Sequence, residues 1–264
     1  MRGNYGELVS KKILKYVMFD ILRSRFIIIY TLLLLILSVA IIYLGKDITK
    51  AVVSLLNVVL LLVPLVSIIF GTIHFYNSGK FIEMLLALPI KRKSIFWAEY
   101  IGLSSSLSIG FIIGVGAPLM VYGASVVGLY LLLAGVILSF IFTALAFLSS
   151  VINKDKAKGI GLSLIIWFYL SILFDGLVLL LVFLLSDYPL QKLILVFTAL
   201  NPVDLARVMI LLKLDISALM GYTGATIQNF FGSMEGSIFS LGFLLVWIAA
   251  PALLALRIFN RKNF

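Results

Sequence analysis

A lone carboxylate, Asp175, stands inside a long apolar run from residue 159 to 185. A charge in hydrocarbon is costly unless it is paired or wetted, so a residue of this type here lines a polar path or clamps two helices together. Asn57, in another apolar run, is a candidate partner; the alternative is a helix break at Asp175-Gly176 that sets the carboxylate in the outer interface. Met209, Met220 and Met234 fall in one later segment, where thioether sulfur is suited to a soft cation such as Cu(I). With no His or Cys beside them, apolar filling is their favoured use and no metal is assigned. The sole histidine, His74, beside Phe75 and Tyr76, reads as an interfacial anchor.

The remaining chemistry is narrowed by what the chain lacks. With no cysteine and one histidine, thiol nucleophiles, cysteine zinc sites, disulfides and two-histidine metal sites are excluded. Gly45-Lys46 and Gly79-Lys80 are the only Gly-Lys pairs, and neither has the upstream glycine or following Ser/Thr of a phosphate-binding loop. ATP, if used, is bound by another chain, and this chain is expected to hold no cofactor. No segment combines a nucleophile with a base, so a catalytic role is not expected.

The elements that must position these residues are membrane helices. A chain with 63% hydrophobic and 12% charged residues has too little polar surface for a soluble domain. Six runs are long enough to cross a bilayer: about 26 to 45, 51 to 76, 95 to 122, 126 to 150, 159 to 185 and 237 to 256. In alternate connections, sixteen Lys and Arg lie on one side and five on the other. The positive-inside rule therefore predicts both termini in the cytoplasm, and the net charge of +10 reflects topology and not nucleic acid. The expected fold is all-α, one transmembrane domain over residues 1 to 264.

Three connections have character of their own. Residues 1 to 25 lack a cleavage site, and Leu14, Val17, Met18, Ile21 and Leu22 oppose Lys11, Lys12 and Lys15, predicting a retained amphipathic helix in the inner headgroup layer. In the segment 77 to 94, Phe81, Met84, Leu85 and Leu88 share one helical face, Ile82 adds to it, Glu83 interrupts it, and Pro89 ends it before Lys91, Arg92 and Lys93. That helix is too short to span, so lipid or another protein must cover it. Residues 186 to 236 form a long exported segment, with Asn201-Pro202 as a helix start, Asp204 in its first turn, and a stripe of Leu205, Val208, Met209 and Leu212. In span three, Ser106, Gly110, Gly114 and Ala117 make a small-residue face for either a dimer contact or packing within the subunit. Pro64, Pro118 and Pro251 are expected to kink their spans.

The amphipathic start, six spans, inside termini and helical connection between spans two and three resemble the permease subunits of ABC-2 type transporters. Within that family, residues 76 to 92 (YNSGKFIEMLLALPIKR) and 201 to 225 (NPVDLARVMILLKLDISALMGYTGA) look like the NosY group, which serves nitrous oxide reductase maturation. The resemblance implies a homodimer in the inner membrane, a separate ATPase of the NosF kind, and a periplasmic NosD-like partner. It makes Phe81, Ile82, Glu83, Met84, Leu85, Leu88, Pro89, Lys91 and Arg92 the ATPase-coupling residues, and directs Asn201, Pro202, Asp204, Arg207 and Asp215 at the periplasmic partner. The implied work is copper-site assembly, by export of a sulfur species or by mechanical action on a copper-handling partner. The competing expectations are an ABC-2 exporter of a lipid, drug or peptide, and an ion-coupled transporter built on Asp175.

Overall fold

The computed structural model describes residues 13–45, 48–122, 125–184, 191–211 and 234–261. All regular structure there is helical, as a chain without water for its backbone requires: each N–H and C=O must find its partner inside its own helix. We number the helices α1 (13–22), α2 (Arg25–Gly45), α3 (Ile48–Asn77), α4 (Gly79–Leu86), α5 (Arg92–Phe111), α6 (Ala117–Tyr122), α7 (Val126–Ile152), α8 (Lys156–Phe168), α9 (Phe174–Leu184), α10 (Gln191–Leu200), α11 (Pro202–Leu211) and α12 (Met234–Arg261). A π turn at Ile112–Gly116 joins α5 to α6, and another at Tyr169–Leu173 joins α8 to α9.

Six stretches are long and apolar enough to span: Arg25–Gly45, Lys50–Asn77, Arg92–Tyr122, Val126–Ile152, Lys156–Leu184 and Ile238–Arg261. They agree with the six expected runs to within a few residues, and the protein is a multi-pass membrane protein. Their ends define two sides, a basic side carrying α1, α4 and the end of α12, and a far side carrying α10 and α11. Starts are set by side-chain caps where the chain turns sharply: Ser125 Oγ accepts from Gly128 N (3.1 Å) at α7, and Asp155 Oδ1 accepts from Ala157 N (2.8 Å) at α8.

Helix α7 is the centre, packed by α3, α12 and α5, and two thirds of its span is buried against 11% for span five. Span five therefore rests on the edge of the bundle. Near the basic side, Phe75, Phe96, Tyr100, Phe147 and Phe259 bring rings from α3, α5, α7 and α12 together, with centroids 5.2 Å apart for Phe75–Phe147 and 5.5 Å for Phe96–Phe259. Three hydroxyls staple span five's foot: Ser163 Oγ meets Thr72 Oγ1 of α3 at 2.7 Å and Ser149 Oγ of α7 at 2.5 Å.

The small-residue face of span three is used inside the subunit. A Cβ at Gly114 would stand 2.7 Å from Leu34 Cβ, and one at Gly110 would stand 2.7 Å from Thr31 Oγ1, both on α2. Ser38 Oγ completes the approach by donating to Gly114 O at 2.7 Å, and Ser106 Oγ donates to Met18 O of α1 at 3.2 Å. Ala117 departs from the face and is exposed, because the π turn inserts one residue into the register between it and Gly114. Helix α1 is seated on protein: Ile13, Val17 and Ile21 are buried, and Val17 fills the space above Gly102.

Candidate functional site: two polar clusters and a short outward helix

The short helix α4 follows α3 after a single residue, Ser78. Ser78 N donates to His74 O (2.8 Å), but its hydroxyl makes no capping bond and instead lies 3.3 Å from His74 Nε2. The helix runs from Gly79 to Leu86, so its predicted end at Leu88 is corrected. Ala87 closes the last turn onto Glu83 O, and the Leu88–Ile90 turn around Pro89 leads to extended Lys91 and the start of α5.

The expected single stripe of α4 divides into two. Ile82 (1% exposed) and Leu85 (6%) anchor the inner side, with Phe81 and Leu86 partly covered. Met84 (58%) and Leu88 (50%) point away from the protein, beside exposed Lys80, Glu83, Pro89, Lys91 and Lys93. Tyr16 of α1 adds an aromatic ring 6.0 Å from Phe81 and is itself exposed. Arg92 Nη1 donates to Asn260 O (3.3 Å), tying the start of α5 to the end of α12. The geometry is a lever of eight residues, glued by one face and offering the other.

Directly beneath α4 lies a pair that the sequence reading missed. His74 Nε2 is 2.9 Å from Glu99 Oε2, and Glu99 is 2% exposed. His74 is thus more than an interfacial anchor: it joins α3 to α5 and reaches Ser78 at the root of α4. The available signal was the same as for Asp175, a lone carboxylate in an apolar span, with the only histidine at a similar distance from the basic side.

On the far side, α10 and α11 form a hairpin whose tip enters the bundle. Asn201 is fully buried; its Nδ2 donates to Leu170 O (2.8 Å) and to Asp204 Oδ2 (3.1 Å), while its Oδ1 accepts from Val203 N (3.0 Å). Leu170 lies in the π turn, 14 residues past Lys156, about 21 Å along the helix at 1.5 Å per residue. Val203, Leu205, Ala206, Met209 and Ile210 are buried, and Trp247 Nε1 of α12 donates to Ala199 O (3.3 Å). Met209 is therefore packing; Met220 lies outside the described residues, and Met234 begins α12. Among the described residues no three His, Cys, Asp or Glu side chains gather as metal ligands.

Asp175 finds its partner on this hairpin. Arg207 Nη1 lies 2.7 Å from Asp175 Oδ2 and 3.2 Å from Asp204 Oδ1. The suggested partner Asn57 is exposed on α3, so that pairing is corrected. Asp204 is pushed up to about 7, chiefly by burial and then by Asp175, with Arg207 and Asn201 opposing. Of the residues directed at an outside partner, Asn201 and Pro202 are buried, Asp204 and Arg207 are held in this network, and Asp215 lies outside the described residues. The hairpin's polar side chains grip the bundle.

Six spans, a seated N-terminal helix and a short helix facing outward between spans two and three form the arrangement that the resemblance to ABC transporter permeases leads one to expect. Two relatives make the particular likeness plain: the chain is 27% identical, over 277 aligned positions covering 92% of it and 95% of the relative, to "Probable ABC transporter permease protein NosY" of Stutzerimonas stutzeri. It is also 27% identical over 265 positions, 92% of this chain and 94% of the relative, to the protein of the same name in Pseudomonas aeruginosa. No family model matches the chain.

Proposed function

We propose that this chain is the inner-membrane permease subunit of an ABC transporter that works as a homodimer, with a separate NosF-like ATPase docked on α4. The observation that carries the reading is the division of α4: Ile82 and Leu85 bind it to the bundle while Met84 and Leu88 stand free among basic residues. An apolar patch of this kind fits a groove on a soluble partner, with the flanking charges setting orientation. Movement of α4 passes to spans two and three through Ser78, His74 and Glu99. The output in this reading is copper-site maturation of nitrous oxide reductase, with a NosD-like periplasmic partner receiving the motion; the name that the relatives carry supports the permease role. Mechanical action is favoured over cargo export because the far-side hairpin is bonded to span five and so is placed to transmit displacement. Pairing of Asp175 with Arg207 gives the intramembrane acid a structural use in holding the hairpin to span five.

The test is copurification from detergent with the neighbouring ATPase. Met84→Asp with Leu88→Asp should abolish retention of the ATPase and ATP-dependent maturation while the permease still inserts. Full retention of both by an inserted double variant would sink the proposal.

A further inference from the structure

The far-side network holds more negative than positive charge. Asp175 and Asp204 share one nitrogen of one guanidinium, and among the described side chains of the elements packed around α11 no second cation lies against the other carboxylate. Helix α7 brings no charged residue; Lys50 is exposed at the far end of α3; Arg257 and Arg261 lie at the opposite end of α12; Lys192 and Glu235 have side chains outside the described set. Asn201 holds Asp204 from the other side by donation, and spends the same amide on Leu170 O. These five groups make the polar contacts described between the hairpin tip and span five.

We propose that one proton on Asp204, beside Asp175 and Arg207, locks the α10–α11 hairpin against span five, so that its loss on the far side loosens the hairpin. With the proton, the trio with Arg207 is neutral. Without it, a net negative charge is left where the Asp204 side chain is only 15% exposed, and water must enter to solvate it. Raised pKa of Asp204 in the seated form gives the sign: the seated form holds the proton more tightly than a solvated carboxylate would, so seating is strongest at low pH and weakens as pH rises through about 7. This device is independent of any ATPase and extends the proposed function by a condition on its output.

The experiment is hydrogen–deuterium exchange of the full-length protein in lipid nanodiscs at pH 6 and pH 8, corrected for intrinsic exchange. Protection of residues 191–211 should fall about tenfold from pH 6 to pH 8, and α7 should not change. Asp204→Asn, which removes the titrating carboxyl and keeps one acceptor oxygen, should make the hairpin's protection independent of pH. If that variant does not fold, Asp175→Asn leaves a balanced Asp204–Arg207 pair and should do the same. Wild-type protection that is flat across this range, or pH dependence that persists in whichever variant folds, would overturn the proposal.

Discussion

Helix α4 and helix α11 are similar in sequence style and opposite in use. Each is eight to ten residues long, apolar on one face and flanked by charge, and each follows another helix after a single residue. Yet α4 keeps Met84 and Leu88 outside, whereas α11 buries Leu205, Met209 and Ile210 and spends Asn201, Asp204 and Arg207 on its own chain. Amphipathic spacing therefore states that a surface must cover the helix and leaves open whose surface it is. Contact with α7, α12 and α3 answers that for α11; α4 has its answer on one face only.

Substitutions sharpen this contrast by striking equivalent residues. Leu205→Ala, in the fully buried face of α11, should cost about 2–5 kcal/mol and lower the thermal midpoint in detergent. The outward pair on α4 should behave the other way: Met84→Ser with Leu88→Ser leaves the thermal midpoint unchanged but weakens ATPase binding by at least about 2 kcal/mol, measured by titration of the partner. Loss of thermal stability in that variant would mean that α4 has no free face. Glu99→Gln, beneath α4, should cost about 1–3 kcal/mol by leaving His74 with a weaker partner. It should also raise the fraction of ATP turnover not linked to maturation, which a purely structural defect would not do.

The smallest effect is the pH dependence of the far side. Because Asp204 has its pKa raised from 3.8 to about 7, its contribution is full below the ordinary carboxylate range and declines as pH rises through 7. Between pH 6 and 8 the thermal midpoint of the wild type should fall by the equivalent of roughly 1 kcal/mol, and that of Asp204→Asn should not. A midpoint that rises with pH would reverse the contrast between a locked hairpin and a free lever.

The spans were legible because twenty apolar residues have one physical meaning, and caps such as Ser125 and Asp155 mark their starts. Helix α4 was legible in place but shifted by two residues at each end, since Ser78 starts it without a side-chain cap and Ala87 ends it before Pro89. The polar pairs were not legible. His74 and Glu99 are 25 residues apart and Asp175 and Arg207 are 32 apart, so spacing within a helix says nothing about their meeting. Nor does composition reveal a π turn, which is why Ala117 left the face assigned to Gly110 and Gly114.

The hydroxyl staple at the foot of span five bears on how the protein is made. Thr72 Oγ1 also bonds Ile68 O at 2.8 Å, and Ser149 Oγ also bonds Ala146 O at 2.9 Å, each within its own helix. Both hydroxyls are thus satisfied before the later helix exists, and spans two and four enter lipid without a stranded polar group. Ser163 arrives last in synthesis and gives its one proton to one of these two oxygens, while the other hydroxyl turns from its own helix to donate to Ser163. The earlier bundle then waits without a bare donor in hydrocarbon, and docking of span five gives the Ser163 hydroxyl its partners, which favours the edge helix joining late.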